Sequence, residues 1–180
     1  MHGTGFDIVA PPYSRQKIAL GPLGMIDTAM RPSAQQMRRM AQGHKANGMA
    51  APPWPVFAWF AAGALRSTTL DMLRFGEANL GHQQIDGKPV PDHLISAMKM
   101  AQTPVYLLPN GRAKQGMAWV TNLGDEQDGQ HVEVLKNGST VGFSTVILIN
   151  PNKDAAIFIA LNQSKSNPAL IAVQIGRHLF

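Results

Sequence analysis

Four apolar, β-prone runs follow one another late in the chain, and the links between them are short. They read Q-G-M-A-W-V-T, H-V-E-V-L-K, G-F-S-T-V-I-L-I and A-A-I-F-I-A-L. Parallel neighbours need a crossover of a dozen or more residues, so short links force antiparallel pairing. The chain must therefore build a β-meander. The last two runs are apolar almost throughout, which requires cover on both faces of the sheet. Helices supply that cover.

The helices carry their own signals. In R-S-T-T-L-D-M-L-R-F, Thr68 and Asp71 fit a capping box, and Leu70, Leu73 and Leu80 then recur at helical spacing. Pro91 opens a second helix with an apolar stripe of Leu94, Ile95, Met98 and Ala101. A final helix starts with Asn167 as N-cap and Pro168 in its first turn, and its periodicity predicts burial of Ile171, Ile175 and Leu179. Residues 1–21 are irregular and rich in Gly and Pro, with a short helix around Ser14–Leu20, and residues 31–42 hold helix formers with a weak apolar face. The aromatic stretch M-A-A-P-P-W-P-V-F-A-W-F is turn-like and packs its rings on the body of the domain. Helices, then a meander, then a helix returning to the sheet make an α+β layout of the α/β sandwich type. With no repeat and no linker, residues 1–180 form a single domain.

Composition narrows the function classes. A chain of 180 residues with 44% hydrophobic and 15% charged residues supports one real core and argues against disorder. No apolar run approaches the ~20 residues of a membrane span. The N-terminus, M-H-G-T-G-F-D-I-V-A-P-P, lacks a basic region followed by an apolar one, so the chain is cytoplasmic or its leader lies outside it. With no cysteine there is no disulfide framework and no thiolate nucleophile. The net charge of +5 raises a nucleic-acid reading, but Arg38-Arg39 is the only adjacent basic pair and no aromatic platform accompanies it. Six histidines show no metal-ligand spacing, and there is no Walker loop, G-x-G-x-x-G or G-x-S-x-G elbow, so neither a metal nor a cofactor is expected. His131 reads as a solvated strand residue and the acidic cluster Asp125, Glu126, Asp128 as a solvated loop.

Two Ser-x-x-Lys strings invite a nucleophile: Ser14 with Lys17, and Ser96 with Lys99. At i and i+3 a lysine can take the serine proton on one helix face, which activates the hydroxyl for acyl transfer. The plain alternatives are a solvated polar face for Ser96 and Lys99, and too little helix to hold Ser14 and Lys17. K-N-G-S-T-V-G-F has two readings as well. Asn137-Gly138 between β-prone runs is a strong hairpin signal, because both residues tolerate φ > 0. Alternatively, Lys136 carries chemistry.

Several landmarks occur in one order: P-L-G-M-I-D-T at 22–28, A-A-G-A-L-R-S-T-T-L-D-M-L-R-F at 61–75, Q-G-M-A-W at 115–119 and K-N-G-S-T-V-G-F at 136–143. Together they resemble the C-terminal half of the class C β-lactamases and their DD-peptidase and esterase relatives, the penicillin-recognising serine hydrolases. The resemblance implies a partial β-lactamase/transpeptidase-like fold. It implies that Lys136 supplies positive charge to a substrate carboxylate, that Asn137 and Gly138 border the substrate, and that the Ser139 backbone N–H is one of two oxyanion-hole donors. Asn137 stands where the family usually has Thr or Ser; its amide can still donate a hydrogen bond to a carboxylate, with a different shape.

In that family the serine nucleophile with its lysine and a Tyr-x-Asn precede P-L-G-M, whereas here 21 residues precede Pro22 and hold neither at the family's spacing. The chain thus reads as a family member lacking its N-terminal catalytic segment. Two function classes follow. One is an acyl-transfer hydrolase for a small-molecule β-lactam or D-alanyl peptide, periplasmic by resemblance and completed by an N-terminal fragment. The other is a non-catalytic module that self-associates as a homo-oligomer through surface left bare.

Overall fold

The structure, a computed structural model, describes residues 16–54, 63–122 and 132–179. A six-stranded antiparallel sheet in the order β3-β4-β5-β6-β7-β8 organises it: β3 Tyr106–Leu107, β4 Ala113–Gln115, β5 Val120–Asn122, β6 Glu133–Ser139, β7 Ser144–Asn150 and β8 Ala155–Leu161. Helices α1 Ala34–Arg38, α2 Thr69–Leu80 and α3 Asp92–Gln102 precede the sheet, with a small hairpin of β1 Gln84–Ile85 and β2 Lys88–Pro89 between the last two. Helix α4, Pro168–Leu179, follows it. The meander and the α+β layout are as expected. The predicted helix near Ser14–Leu20 is a π-helical turn, Gln16–Leu20, and that over 31–42 shortens to α1.

Alternation in β7 explains the layering. Ile147 and Ile149 join Val134, Trp119 and residues of α2 in one core, whereas Val146 and Leu148 join Ala172 of α4 in another. The sheet is thus sandwiched between α2 and α4. Strand β8 has one strand neighbour among the described residues and is only half-buried along its length. Cover on both faces is therefore complete for β7 and partial for β8.

Three sequence expectations shift by a residue or two. Leu70 and Leu73 are exposed, and α2 buries Asp71, Gly76, Ala78 and Asn79, with Met72 and Phe75 reaching the cores. On α4, Ile171, Ile175 and Leu179 are exposed, while Pro168, Ala172 and Gly176 face the sheet. Small residues let a helix approach a sheet closely, so burial selected the small stripe over the bulky one. The third shift is in Q-G-M-A-W-V-T, which forms the β4–β5 reversal rather than one strand, with Gln115 opposite Val120. A Cβ on Gly116 would lie 2.9 Å from the Ala101 carbonyl oxygen, so the end of α3 forces glycine there and bends the chain. Trp119 then turns inward, its ring centroid 6.3 Å from that of Phe75. The α3 stripe of Leu94, Ile95 and Met98 is buried as predicted.

Two of the sequence landmarks prove to be one physical unit. The Thr68 hydroxyl caps α2 by accepting the Asp71 N–H, but the Asp71 carboxylate does not return to Thr68. Its Oδ2 instead accepts the Asp27 N–H at 2.9 Å and the Thr28 hydroxyl at 2.7 Å, and its Oδ1 accepts Arg74 Nη1 at 3.1 Å. Thr28 also meets Ser67 Oγ at 2.7 Å, and Ala29 and Arg66 exchange backbone hydrogen bonds. P-L-G-M-I-D-T is thereby fastened to the start of α2, with Leu23 and Met25 in the core beneath. The capping box expected from the sequence is half made, because a buried loop offers the carboxylate better donors than the helix end does.

Candidate functional site

Residues Lys136 to Ser139 are strand, not turn. They pair Lys136 with Ile147, Asn137 with Val146, Gly138 with Thr145 and Ser139 with Ser144. The reversal lies beyond them at Val141-Gly142, where the Thr140 N–H donates to the Phe143 carbonyl at 2.8 Å. The Asn-Gly signal lost to β-pairing with an apolar partner strand. The cross-strand pairs share faces with their neighbours, so Lys136 and Gly138 lie on the α2 face and Asn137 and Ser139 on the α4 face. All four residues are exposed.

Their exposure follows from strand length. The three residues of β5 pair with Glu133 to Leu135 and stop, so among the described residues Lys136 to Ser139 are paired on the β7 side only. At about 3.4 Å per residue this leaves roughly 13 Å of open edge. In an antiparallel ladder, narrow and wide pairs alternate, and the hydrogen-bonded Thr140–Phe143 pair sets the phase. The N–H groups of Asn137 and Ser139 accordingly point out of the open edge. An extended amide can pair there as an added strand. Among the described residues, no carboxylate pairs with Lys136.

At its far end the open edge runs into a cavity of about 760 Å³, lined among others by Ser139, Thr140, Lys45, Asn47, Trp54 and Lys165. Three segments build it, and each is pinned. The His44 N–H donates to the Asn162 carbonyl and the Ser164 N–H to the His44 carbonyl, both at 2.9 Å. Asn162 Nδ2 donates to the Gln42 carbonyl at 3.1 Å. Ser139 Oγ and Ser144 Oγ lie 2.7 Å apart, and Ser144 passes the chain on to the Gln163 carbonyl at 3.0 Å. The reversal abuts Gly43 so closely that a Cβ on Gly142 would lie 2.9 Å from Gly43 Cα. Lys165 holds φ of +60°, a left-handed conformation that residues other than Gly seldom adopt.

The Ser-x-x-Lys strings do not meet this edge. Ser96 and Lys99 lie on the exposed side of α3, with the Lys99 side chain over Gly81. Ser14 falls outside the described residues, as do the acidic cluster at 125–128 and His131, and Lys17 lies in the π-helical turn. The second half of the aromatic stretch at 49–60 also falls outside them, and in the first half Trp54 is half-buried.

Sequence reasoning missed Lys45 and Lys165 because it looked for clustered basic residues. The signal lay in where acids are missing. Between Asp27 and Asp71, between Glu133 and Asp154, and after Asp154 there is no Asp or Glu, and nine of the 16 Lys and Arg residues fall in these stretches. Of these nine, Arg39 is paired with Asp27 at the border of its stretch; the other ion pairs among the described residues join Arg74 to Asp71 and Asp86, and His82 to Asp154. Hydrogen bonding from Arg39 holds the Asp27 carboxyl below the usual carboxylate range, and the Asp86 carboxylate raises Arg74.

The family model described as Beta-lactamase matches residues 15–176. Among solved structures, a class C beta-lactamase superposes with a TM-score of 0.79 at 23% identity, over 94% of this chain and 51% of that one. A D-alanine carboxypeptidase from Burkholderia cenocepacia gives 0.78 at 22% identity, over 93% and 55%. A beta-lactamase/D-alanine carboxypeptidase from Pseudomonas syringae gives 0.80 at 21%, over 94% and 53%. The chain spans about half the length of these structures, and the likeness is one of fold. No curated protein matches it.

Proposed function

The chain belongs to the beta-lactamase family of serine hydrolases, and from that membership we propose that the open edge of β6 is one wall of an acyl-transfer site for β-lactam or D-alanyl amide substrates. The observation that carries the reading is the four-residue stretch of strand, Lys136 to Ser139, whose outward N–H groups have no strand partner among the described residues. A substrate amide pairs along this edge. Gly138 leaves the strand without a side chain at that point, and Lys136 supplies positive charge to the substrate carboxylate. Asn137 donates from its amide where the family commonly has a hydroxyl. The Ser139 N–H faces the oxygen on which negative charge develops, and one such donor contributes about 2.7–4 kcal/mol to the transition state.

The attacking serine and its base come from a segment other than residues 1–180, in the same polypeptide or as a separate fragment. Two features support this: Ser96 and Lys99 lie on an exposed helix face, and the relatives are about twice as long as the chain. Ser14 and Lys17 keep the alternative open to experiment.

Titration of the chain with benzylpenicillin, followed by amide NMR and intact-mass analysis, tests the reading. Shifts at residues 136–139 that weaken in K136A, with no adduct on the chain alone, are expected. Unmoved β6 amides at millimolar ligand would refute the site, and a covalent adduct on Ser14 or Ser96 would refute the assignment of the serine elsewhere.

A second reading has its own observation. The outer edge of β8, which has no strand neighbour among the described residues, and the exposed Ile171, Ile175 and Leu179 of α4 lie on neighbouring elements, an apolar surface of the kind that pairs with a second copy. Under it the chain is a non-catalytic, self-associating module. Sedimentation across a concentration series separates the two.

A further inference from the structure

The cavity at the end of the open edge has a charge that the reaction itself does not require. Lys45 and Lys165 both line it, and none of its lining residues is acidic. The imbalance extends beyond the lining, since residues 28–70 and 155–180, which supply two of the three walls, contain no Asp or Glu. Neither lysine has a carboxylate within salt-bridge distance among the described residues. The walls that carry them are held by the hydrogen bonds between residues 42–46 and 162–164, and Lys165 is fixed there in a left-handed backbone conformation. Strained, over-determined residues of this kind concentrate where a ligand is gripped. Two lysines without carboxylate partners at one cavity raise the local concentration of anions and reject cations.

We propose that the substrate of this site carries a second anionic group, on the part that extends past Ser139, and that the Lys45–Lys165 cavity receives it. The proposal rests on the reading of the β6 edge as the hydrolase site. Lys136 and Ser139 are three residues apart on one strand, so the two anionic centres are on the order of 10 Å apart. The preferred substrates are therefore amides with a carboxylate, or another anion of similar size, on the acyl side chain as well as on the amine side. Substrates with neutral side chains fit the same edge with less affinity, and those with cationic side chains are disfavoured.

The test uses two penicillins that differ by one carboxylate, an α-carboxybenzyl penicillin and benzylpenicillin, titrated against the chain and read at the amides of residues 136–139 and 164–165. The dianionic ligand is expected to bind about 3- to 30-fold more tightly at low ionic strength, the range that two partly exposed ion pairs supply. The ratio should shrink at high salt, fall to about one in K45M/K165M and persist in K45R/K165R. A ratio of one in the unaltered chain, with both ligands shifting the β6 amides, overturns this inference and leaves the hydrolase site standing. If neither ligand moves residues 136–139, the site reading falls and this inference falls with it. A ratio that survives K45M/K165M also overturns it.

Discussion

Asp71 offers the sharpest test of how the fold holds together. The residue is 1% exposed, and one of its oxygens serves two donors from the loop at 22–28 while the other serves Arg74. In Asp71→Asn, the remaining carbonyl oxygen can keep both loop donors if the amide nitrogen faces Arg74. That places donor against donor and removes one charge-assisted bond, at a cost of about 1.5–3 kcal/mol. In Asp71→Ala all three acceptor contacts go. The Asp27 N–H and the Arg74 guanidinium then lose their acceptor here, while Thr28 retains Ser67 and Arg74 retains Asp86. Breaking a buried pair in this way costs about 3–5 kcal/mol. Urea unfolding should therefore rank wild type above D71N above D71A, and hydrogen exchange should report the loss first at residues 23–28. Thr28→Val adds a check, because a cycle with D71A should show coupling of about 0.5–3 kcal/mol. A D71A variant within about 1 kcal/mol of wild type, or one whose loop exchanges no faster, would refute the claim that this carboxylate fastens the loop.

Other expectations concern the cores, the reversal and pH. Leu148→Ala, at a fully buried position in β7, should cost about 2–5 kcal/mol, whereas Leu70→Ala on the exposed side of α2 should stay within about 0.5 kcal/mol; chemical denaturation of the two variants tests the assigned faces. Gly142→Ala should cost about 1–3 kcal/mol in thermal or urea melts, because the new methyl meets the Gly43 backbone and Ala51 at 2.9–3.0 Å. The Asp27 carboxyl is depressed by hydrogen bonding from Arg39, so its share of stability is complete above the unfolded value near ~3.9 and is lost as pH falls through the lower folded value. An NMR titration should place Asp27 below that figure in wild type and move it upward in Arg39→Gln.

What the sequence disclosed depended on whether a pattern was local. The antiparallel meander, the α3 stripe and the Asn167 cap were legible, because periodicity and short links act over a few residues. Two helix faces were misjudged because the bulky residues were counted as buried. In α2 and α4 the sheet takes Gly76, Ala172 and Gly176, while Ala78 packs on the core of Leu23, Ile85 and Leu94, and only tertiary packing reveals that preference for small residues. Asn137-Gly138 misled for a related reason. The turn propensity was real, but Val146 and Ile147 offered a buried ladder partner that propensity does not see. The edge at Lys136 could be suspected from its landmark neighbours, whereas its openness required knowing that β5 stops opposite Leu135. Lys45 and Lys165 are 120 residues apart in the chain, and no window of local sequence brings them together.

That separation bears on how the molecule acquires its site. The wall of the cavity is fastened by hydrogen bonds that join Asn162 to His44 and to the Gln42 carbonyl, across 118 and 120 residues. Closing a loop of that size costs roughly 2 kcal/mol more in chain entropy than closing one of ten residues. Contacts of this range are repaid late in folding, after the hairpins of the meander have formed from neighbouring sequence. The sheet can thus exist for a time with its open edge in place and its cationic cavity unbuilt. Refolding followed at β6–β7 amides should run ahead of refolding followed at residues 162–164, so that ligand selectivity matures after the scaffold that displays it.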